Sequence, residues 1–481
     1  MASRLGTIPI VAGPALGVGL YALGLTALGL DHGEAFTAGV TIWCAVWWCF
    51  EAVPIPLTSL LPFALFPLAG VLDHSQLALA FGDKFVLLFL AGFMISRAAE
   101  ASNAHLRVAD TVIRLVGTSS NKRIIIGFML ATAFCSMWIS NTATALIMLP
   151  VAIAVIHQTK ADGRFTVCLL LAIAYGASAG GVATLIGTPP NGVFASNYEA
   201  AVGGAGQAVD FLSWLKIGLP VSALMLIACG IVLTFGIKGG GNYEHQDLGP
   251  WTRAQRSVLF VIAITALLWI TRKLPGDLGG WSVWLNMPDA HDATVALLAV
   301  VVLFVLPSGE QDDRGKRLRL LNWPTAVSIP WGILLLFAGG LAIARAFDQS
   351  GLAIVIADAL QESTADLPLF LVILNLCLVV TFLTEVTSNT ATATLLMPIL
   401  AASGTAMGVD PAVLMIPAAL SASCAFMLPV ATPPNAIVFG GSHLLTIQQM
   451  ARHGIVLNLI GSVVIATLCY FIISTQTGLG G

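Results

Sequence analysis

Ser140-Asn141-Thr142-Ala143-Thr144-Ala145 recurs letter for letter as Ser388-Asn389-Thr390-Ala391-Thr392-Ala393. Both copies lie inside otherwise apolar stretches, and a proline follows each at the same spacing, Pro150 and Pro398. Hydroxyls and an amide are costly at membrane depth, where each unsatisfied polar group loses several kcal/mol. Meeting the same costly run twice points to two half-sites of one binding pocket.

The rest of the chain puts that pocket in a membrane. Of 481 residues, 57% are apolar and 9% charged, against about 25% charged in an ordinary soluble domain. Apolar runs of about 20 residues, the length that crosses a bilayer, recur from end to end. The net charge of −3 is spread over loops on two sides and identifies no partner. No basic patch interleaved with aromatics occurs, so nucleic-acid binding is unsupported. The first apolar stretch, 8–30, follows one positive residue, Arg4, and reads as a first span because no cleavage pattern follows it. The eight cysteines all fall in apolar segments without a CxxC pair and read as small core residues.

Spans are expected at 8–30, 37–51, 55–72 and 85–103, followed by a basic, partly amphipathic connection carrying Arg107, Arg114, Lys122 and Arg123. The stretch 124–156 is too long for one comfortable crossing and holds the first polar run in its middle. Positive residues flank it at both ends, Lys122 and Arg123 before and Lys160 and Arg164 after. A re-entrant hairpin that enters and leaves by one face fits this better than a through-crossing. Spans follow at 165–200, 213–237, 257–272, 291–307 and 330–348; a second interrupted stretch lies at 367–403, and the last spans at 411–440 and 453–475. The expected fold is an all-α polytopic membrane protein, with about 11 transmembrane helices and two re-entrant hairpins in an inverted repeat. Its parts are a first transmembrane helix in 1–36 and a first repeat in 37–237, with an inward hairpin at 122–157. A cytoplasmic connection at 238–256 leads to a second repeat in 257–481, with an outward hairpin at 367–403.

With the amino terminus inside, 16 of the 21 Lys and Arg residues fall on the inner side, leaving Lys84, Lys216, Arg272, Lys273 and Arg345 outside. That asymmetry follows the positive-inside rule. The expected location is the plasma membrane, the inner membrane in a bacterium, with a cytoplasmic N-terminus. The repeat also extends beyond the polar run. Gly92-Phe93-Met94-Ile95-Ser96-Arg97-Ala98 aligns with Gly340-Leu341-Ala342-Ile343-Ala344-Arg345-Ala346 at the same 248-residue offset. Gly187-Thr188-Pro189-Pro190-Asn191 is matched by Ala431-Thr432-Pro433-Pro434-Asn435. An odd number of crossings separates the hairpins, so the copies enter from opposite faces. In that layout a substrate site lies near the midplane between two halves.

A Thr-Pro-Pro-Asn run cannot continue a helix: two donors are lost, and the first proline turns the preceding threonine out of the helical region. Carbonyls before it lose their partners; with hydroxyls and an asparagine oxygen they are hard ligands suited to Na⁺ and similar cations. Ser and Asn are good helix caps, so each Ser-Asn-Thr run is expected at a hairpin tip where a helix begins, offering N–H groups and partial positive charge to an anion. Helix capping and proline kinks explain one such break without a ligand. Four breaks in two matched pairs point to a pocket for an anion and its counter-cations. None of them contains Lys, Arg or His, so an anion brought into a dry site needs bound cations to offset its desolvation.

On these residues, from Glu51-Ala52-Val53-Pro54-Ile55-Pro56 to the final span, the chain resembles the divalent anion–sodium symporter family of di- and tricarboxylate transporters. The resemblance implies one Na⁺ site at Ser136, Ser140, Asn141 and Gly187, and a second at Thr384, Thr387, Ser388, Asn389 and Ala431. Substrate carboxylates would meet Asn141, Thr142, Asn389 and Thr390, with Thr188, Pro189, Thr432 and Pro433 nearby. It also implies a homodimer in which a transport domain moves like an elevator past a scaffold. The expected function is sodium-coupled symport of C4-dicarboxylates such as succinate, malate and fumarate. Sodium-independent dicarboxylate exchange and carriage of citrate or sulfate are the alternatives.

Other residues are read more plainly. Glu385 has Met137 as its counterpart at the 248-residue offset, so it stands outside the repeated pattern; a structural or gating role is expected rather than ligation. Glu51 is expected at the membrane interface. Gly176-Ala177-Ser178-Ala179-Gly180 matches the G-x-S-x-G of serine hydrolases, but it lies mid-span, where close helix packing explains the glycines. The eight histidines fall at span ends or in loops without an H-E-x-x-H, so no zinc protease site is offered and no enzyme is expected. A channel needs a ring-like lining or a charged constriction, which a midplane pocket in an inverted repeat does not supply.

Overall fold

The computed structural model describes residues 7–159, 163–202, 209–240, 248–274, 278–311, 315, 317–356, 368–442 and 444–477. Arg4, Lys160, Arg314 and Lys316 of the charge tally, His245 and His443, and the first residue of the 367–403 stretch lie outside them.

Helices α1 (Thr7–Thr26) and α2 (His32–Phe50) form a first pair. Asp31 starts α2 with a capping box: its carboxylate accepts from the Glu34 N–H (2.8 Å) while Glu34 closes back on the Asp31 N–H (2.8 Å). The single span expected at 55–72 is instead two short helices, α3 (Ile55–Thr58) and α4 (Leu61–Leu68). Pro62 has no N–H to return to the Thr58 carbonyl, and the Ser59 hydroxyl caps the gap by donating to the Ile55 carbonyl (2.8 Å).

Helices α5 (His74–Phe81) and α6 (Lys84–Ala101) lead into α7 (Ala104–Val116), where the basic connection folds as an amphipathic helix. Its Arg107 is not a solvated loop charge. It is 8% exposed. The guanidinium donates to the Leu248 and Pro250 carbonyls (2.6 and 2.8 Å) and to Gln255 Oε1 (3.2 Å), and lies over the Trp251 ring.

The first polar run separates α8 (Asn121–Ser136) from α9 (Asn141–Thr159). The expected 165–200 span divides into α10 (Gly163–Gly181) and α11 (Pro189–Val202), with residues 182–188 unwound between them. Then come α12 (Phe211–Thr234), α13 (Arg253–Arg272), the single turn α14 (Trp281–Trp284) and α15 (Asp292–Val305). A small antiparallel ribbon, β1 (Pro307–Gln311) with β2 (Arg317–Arg319), interrupts an otherwise helical fold; Pro307 pairs with Arg319 and Gln311 with Arg317. After the short α16 (Trp323–Ala326) and the long α17 (Trp331–Ser350), the second polar run separates α18 (Leu369–Leu383) from α19 (Asn389–Ala406). Residues 411–440 then divide into α20 (Ala412–Ala422) and α21 (Pro433–Ser442) around an unwound 423–432, and α22 (Ile447–Thr477) follows.

Eight described helical stretches are long and apolar enough to cross a membrane: α1, α5 with α6, α9, α10, α12, α13, α17 and α22. Shorter apolar helices are α3 with α4, α15, α18 and α20. The interior centres on α10, which is buried from Phe165 to Gly181. It packs on α8 through its glycines: a Cβ on Gly176 would stand 2.6 Å from the Met129 carbonyl, and one on Gly180 would overlap the Ala133 backbone. Close packing therefore uses the G-x-S-x-G glycines, as the mid-span position implied. The eight cysteines form no disulfide, and seven of them are buried.

Candidate functional site

A cavity of about 800 Å³ is lined by residues from all four breaks. Four helices begin at its wall, α9 on Asn141, α11 on Pro189, α19 on Asn389 and α21 on Pro433. Each brings the partial positive charge of a helix N-terminus to the same space, an arrangement suited to an anion. The prolines mark the restart of the helix rather than its break. Their fixed φ and missing N–H suit a first turn, and the unwound residues lie just upstream. Because α11 and α21 each open on two prolines, they contribute a dipole but no N–H from those positions.

Of the residues singled out by the sequence, Ser140, Asn141, Thr142, Gly187, Thr188 and Pro189 line this cavity from the first copy. Ser388, Asn389, Thr390, Ala431, Thr432 and Pro433 line it from the second. Ser136 and Thr384 precede the two Ser-Asn-Thr runs and are fully buried. Thr387 is half-buried, its hydroxyl donating to the Leu383 carbonyl (2.9 Å) and paired with the Thr392 hydroxyl (2.6 Å).

The two copies share one bonding pattern ahead of the Ser-Asn-Thr runs. Ser136 Oγ sits 2.5 Å from Asn141 Oδ1 and 2.8 Å from the Ala177 carbonyl. Thr384 Oγ1 sits 2.6 Å from Asn389 Oδ1 and 3.1 Å from the Ala422 carbonyl. With the amides turned this way, each cluster holds three oxygens and one proton, a donor-poor group that a small cation would complete. The asparagines of the Pro-Pro-Asn runs brace the unwound stretches. Asn191 Nδ2 donates to the Thr184 carbonyl (2.8 Å) and reaches those of Gly181 and Val182 (3.3 and 3.5 Å). Asn435 Nδ2 donates to Leu428 and Ala425 (3.0 and 3.1 Å). Ser140 caps α9 as expected, accepting from the Ala143 N–H (3.2 Å), whereas Ser388 makes no such bond.

Sequence reasoning missed the mouth of the cavity. Glu51, Arg97, Glu100 and Ser328 line it, so Glu51 faces the cavity rather than only the interface. Arg97 is the one basic side chain among its described lining residues, and it is neutralised: Nη1 pairs with Glu100 (2.5 Å) while Nε and Nη2 donate to the Ser328 hydroxyl and carbonyl (2.9 and 3.0 Å). Its place in the repeated block with Arg345 was the available signal. Glu385 does not line the cavity; its carboxylate accepts from the N–H groups of Met427 and Leu428 (2.8 and 2.9 Å), the structural part expected of it.

Comparison with known proteins fits this geometry. Residues 45–415 match the family model described as citrate transporter. The chain belongs to that citrate transporter family. Membership sets it among transporters rather than hydrolases. The sodium-dependent dicarboxylate transporter SdcS of Staphylococcus saprophyticus is 38% identical over 471 residues, covering 94% of this chain and 88% of that one. The transporter of the same name from Staphylococcus aureus strain bovine RF122 is 38% identical over 466 residues, covering 92% and 87%. Among solved structures, the Alcanivorax borkumensis YdaH transporter superposes with a TM-score of 0.58 at 14% identity, over 92% of this chain and 99% of its own. Neisseria gonorrhoeae MtrF does so with a TM-score of 0.56 at 11% identity, over 82% of each chain. These two likenesses concern the fold alone.

Proposed function

We propose that this member of the citrate transporter family is a sodium-coupled symporter of C4-dicarboxylates such as succinate, malate and fumarate. The observation that carries the reading is the charge balance of the cavity: four helix N-termini face it, yet the one basic side chain among its described lining residues is already paired with Glu100. A dianion leaving water there has no free protein cation to meet, so cations must bind with it. Relatives 38% identical are named as sodium-dependent dicarboxylate transporters, in agreement.

In this reading Na⁺ occupies one position at Ser136, Ser140, Asn141 and Gly187, and a second at Thr384, Thr387, Ser388, Asn389 and Ala431. Asn141, Thr142, Asn389 and Thr390 receive the carboxylates, and Thr188, Pro189, Thr432 and Pro433 close the sides. The two interrupted stretches are re-entrant hairpins of an inverted repeat, and the cycle is an elevator-type exchange of the site between faces, in a homodimer of the plasma membrane. With the N-terminus in the cytoplasm, α2 ends inward at Glu51 and α6 ends inward past Arg97 and Glu100. The cavity those residues line then opens to the cytoplasm.

Citrate is the second reading, favoured by the family description and by a cavity of about 800 Å³, roomy for a four-carbon acid. Reconstitution into liposomes tests both. Labelled succinate is expected to accumulate only with an inward Na⁺ gradient, and undiminished uptake in sodium-free buffer would reject symport in favour of exchange. Stronger inhibition by citrate than by unlabelled succinate would move the substrate to a tricarboxylate; excess sulfate tests the remaining anion.

A further inference from the structure

Within the matched polar runs, 136–145 and 384–393, the two copies differ in one charge. Glu385 follows Thr384 directly and is 3% exposed. Its Oε1 accepts from the Met427 N–H (2.8 Å) and from Asn458 Nδ2 (2.7 Å), and its Oε2 from the Leu428 N–H (2.9 Å). Asn458 Oδ1 in turn accepts from the Phe426 N–H (3.2 Å). One carboxylate and one amide thus hold three consecutive N–H groups of the unwound 423–432 stretch. All of Glu385's hydrogen-bond partners are donors, the environment of a carboxylate and not of a protonated acid, whose O–H would need an acceptor.

The first half braces its unwound 182–188 stretch with other bonds, none of them to a charged group. Met137 stands at the position of Glu385, and its carbonyl accepts from the Thr184 hydroxyl (2.6 Å), while the Val182 carbonyl accepts from Trp214 Nε1 (3.0 Å). Glu385 meanwhile takes part in none of the ion pairs among the described residues. A buried carboxylate with no cation beside it is costly at membrane depth. Its neighbour Thr384 touches Asn389, and its ligand Leu428 lies three residues before Ala431, so the charge borders the second cation position.

We propose that Glu385 is the fixed counter-charge of that second position, a positioning residue that makes the position formed with Asn389 and Ala431 hold its cation more tightly than the neutral position formed with Asn141 and Gly187. The two cations then bind in order, the second half first. This deepens the sodium reading given above and rests on it.

The test is a Na⁺ titration of the purified full chain in detergent, with choline keeping ionic strength constant and thermal unfolding read by tryptophan fluorescence. Wild type should be stabilised by Na⁺, as any ligand selective for the folded state stabilises it. Glu385→Gln, which keeps the shape and removes the charge, should need at least tenfold more Na⁺, the effect of a unit charge about 12 Å away at an effective dielectric of about 20 and a lower bound for a closer one. Met137→Glu, at a half-buried position, should shift the midpoint to lower Na⁺, and it decides the question if the glutamine variant does not fold. Uptake should show the same two shifts. A midpoint unchanged from wild type in either folded variant overturns the counter-charge. Absence of any Na⁺ stabilisation in the wild type would instead bring down the sodium reading itself, and this inference with it.

Discussion

Gly181 leaves the space that the Asn141 side chain fills: a Cβ built on Gly181 would stand 2.6 Å from Asn141 Oδ1 and 3.1 Å from Nδ2. The glycine at the end of α10 therefore fixes the position of the first tip. Gly181→Ala is expected to abolish uptake while leaving expression near wild type, because the added methyl displaces one amide at the cavity wall rather than the core. Gly19, with nothing within 4 Å of its Cβ position, gives the matched control: Gly19→Ala should transport normally.

Ser136 and Thr384 should share a phenotype despite lying in different copies. Removing either hydroxyl strands a buried carbonyl and leaves a half-buried asparagine oxygen without its donor, a loss of about 1–3 kcal/mol. Ser136→Ala and Thr384→Val are each expected to raise the Na⁺ concentration for half-maximal uptake several-fold, whereas Thr384→Ser should stay near wild type. Uptake measured against Na⁺ at fixed succinate checks this.

Asn191→Leu or Asn435→Leu would free the carbonyls that these amides hold at the unwound stretches. Each should lower thermal stability by about 1–3 kcal/mol and reduce uptake more than stability alone explains. An Asp at either place should do worse, since a carboxylate would face those carbonyls.

Outside the cavity lining, Arg272 joins α12, α13 and α15. Its side chain is 5% exposed, with Nε on Asp292 Oδ1 (2.7 Å) and Nη2 on Asp210 Oδ2 (3.2 Å), while Asp292 Oδ2 accepts from the Phe211 N–H (2.8 Å). Removing one partner of a buried pair leaves the other charge unmatched, a cost of about 3–5 kcal/mol. Arg272→Ala should therefore unfold at markedly lower temperature than wild type. Arg97→Ala, at a pair 35% and 16% exposed, should barely change the melting temperature.

The polar breaks were legible because a bilayer makes them so: Ser-Asn-Thr and Thr-Pro-Pro-Asn stand out against apolar neighbours, and both pairs reach one cavity. Where each helix stopped was less legible. The unwound stretches begin at 182 and 423, several residues before the prolines, since their carbonyls are held by Asn191 and Asn435 from the following helix, a contact no local pattern announces. Arg107 read as a loop charge because its partners Leu248, Pro250 and Gln255 lie more than a hundred residues away. Even an identical six-residue run folds with different local bonds. Thr387 pairs with Thr392 in the second copy, whereas Ile139 holds that place in the first and leaves the buried Thr144 hydroxyl unpartnered.

The paired prolines at 189–190 and 433–434 have one more effect. The first two residues of those helices carry no amide hydrogen, and the third donates back to Thr188 or Thr432; the opening backbone donors of the four helices then come from the Asn141 and Asn389 ends, which makes the cavity a caliper with two jaws. An acid carrying a carboxylate at each end would engage both; butyrate or propionate would close one jaw and leave the other empty. The spacing between an acid's charges, more than its bulk, would then decide what this carrier accepts.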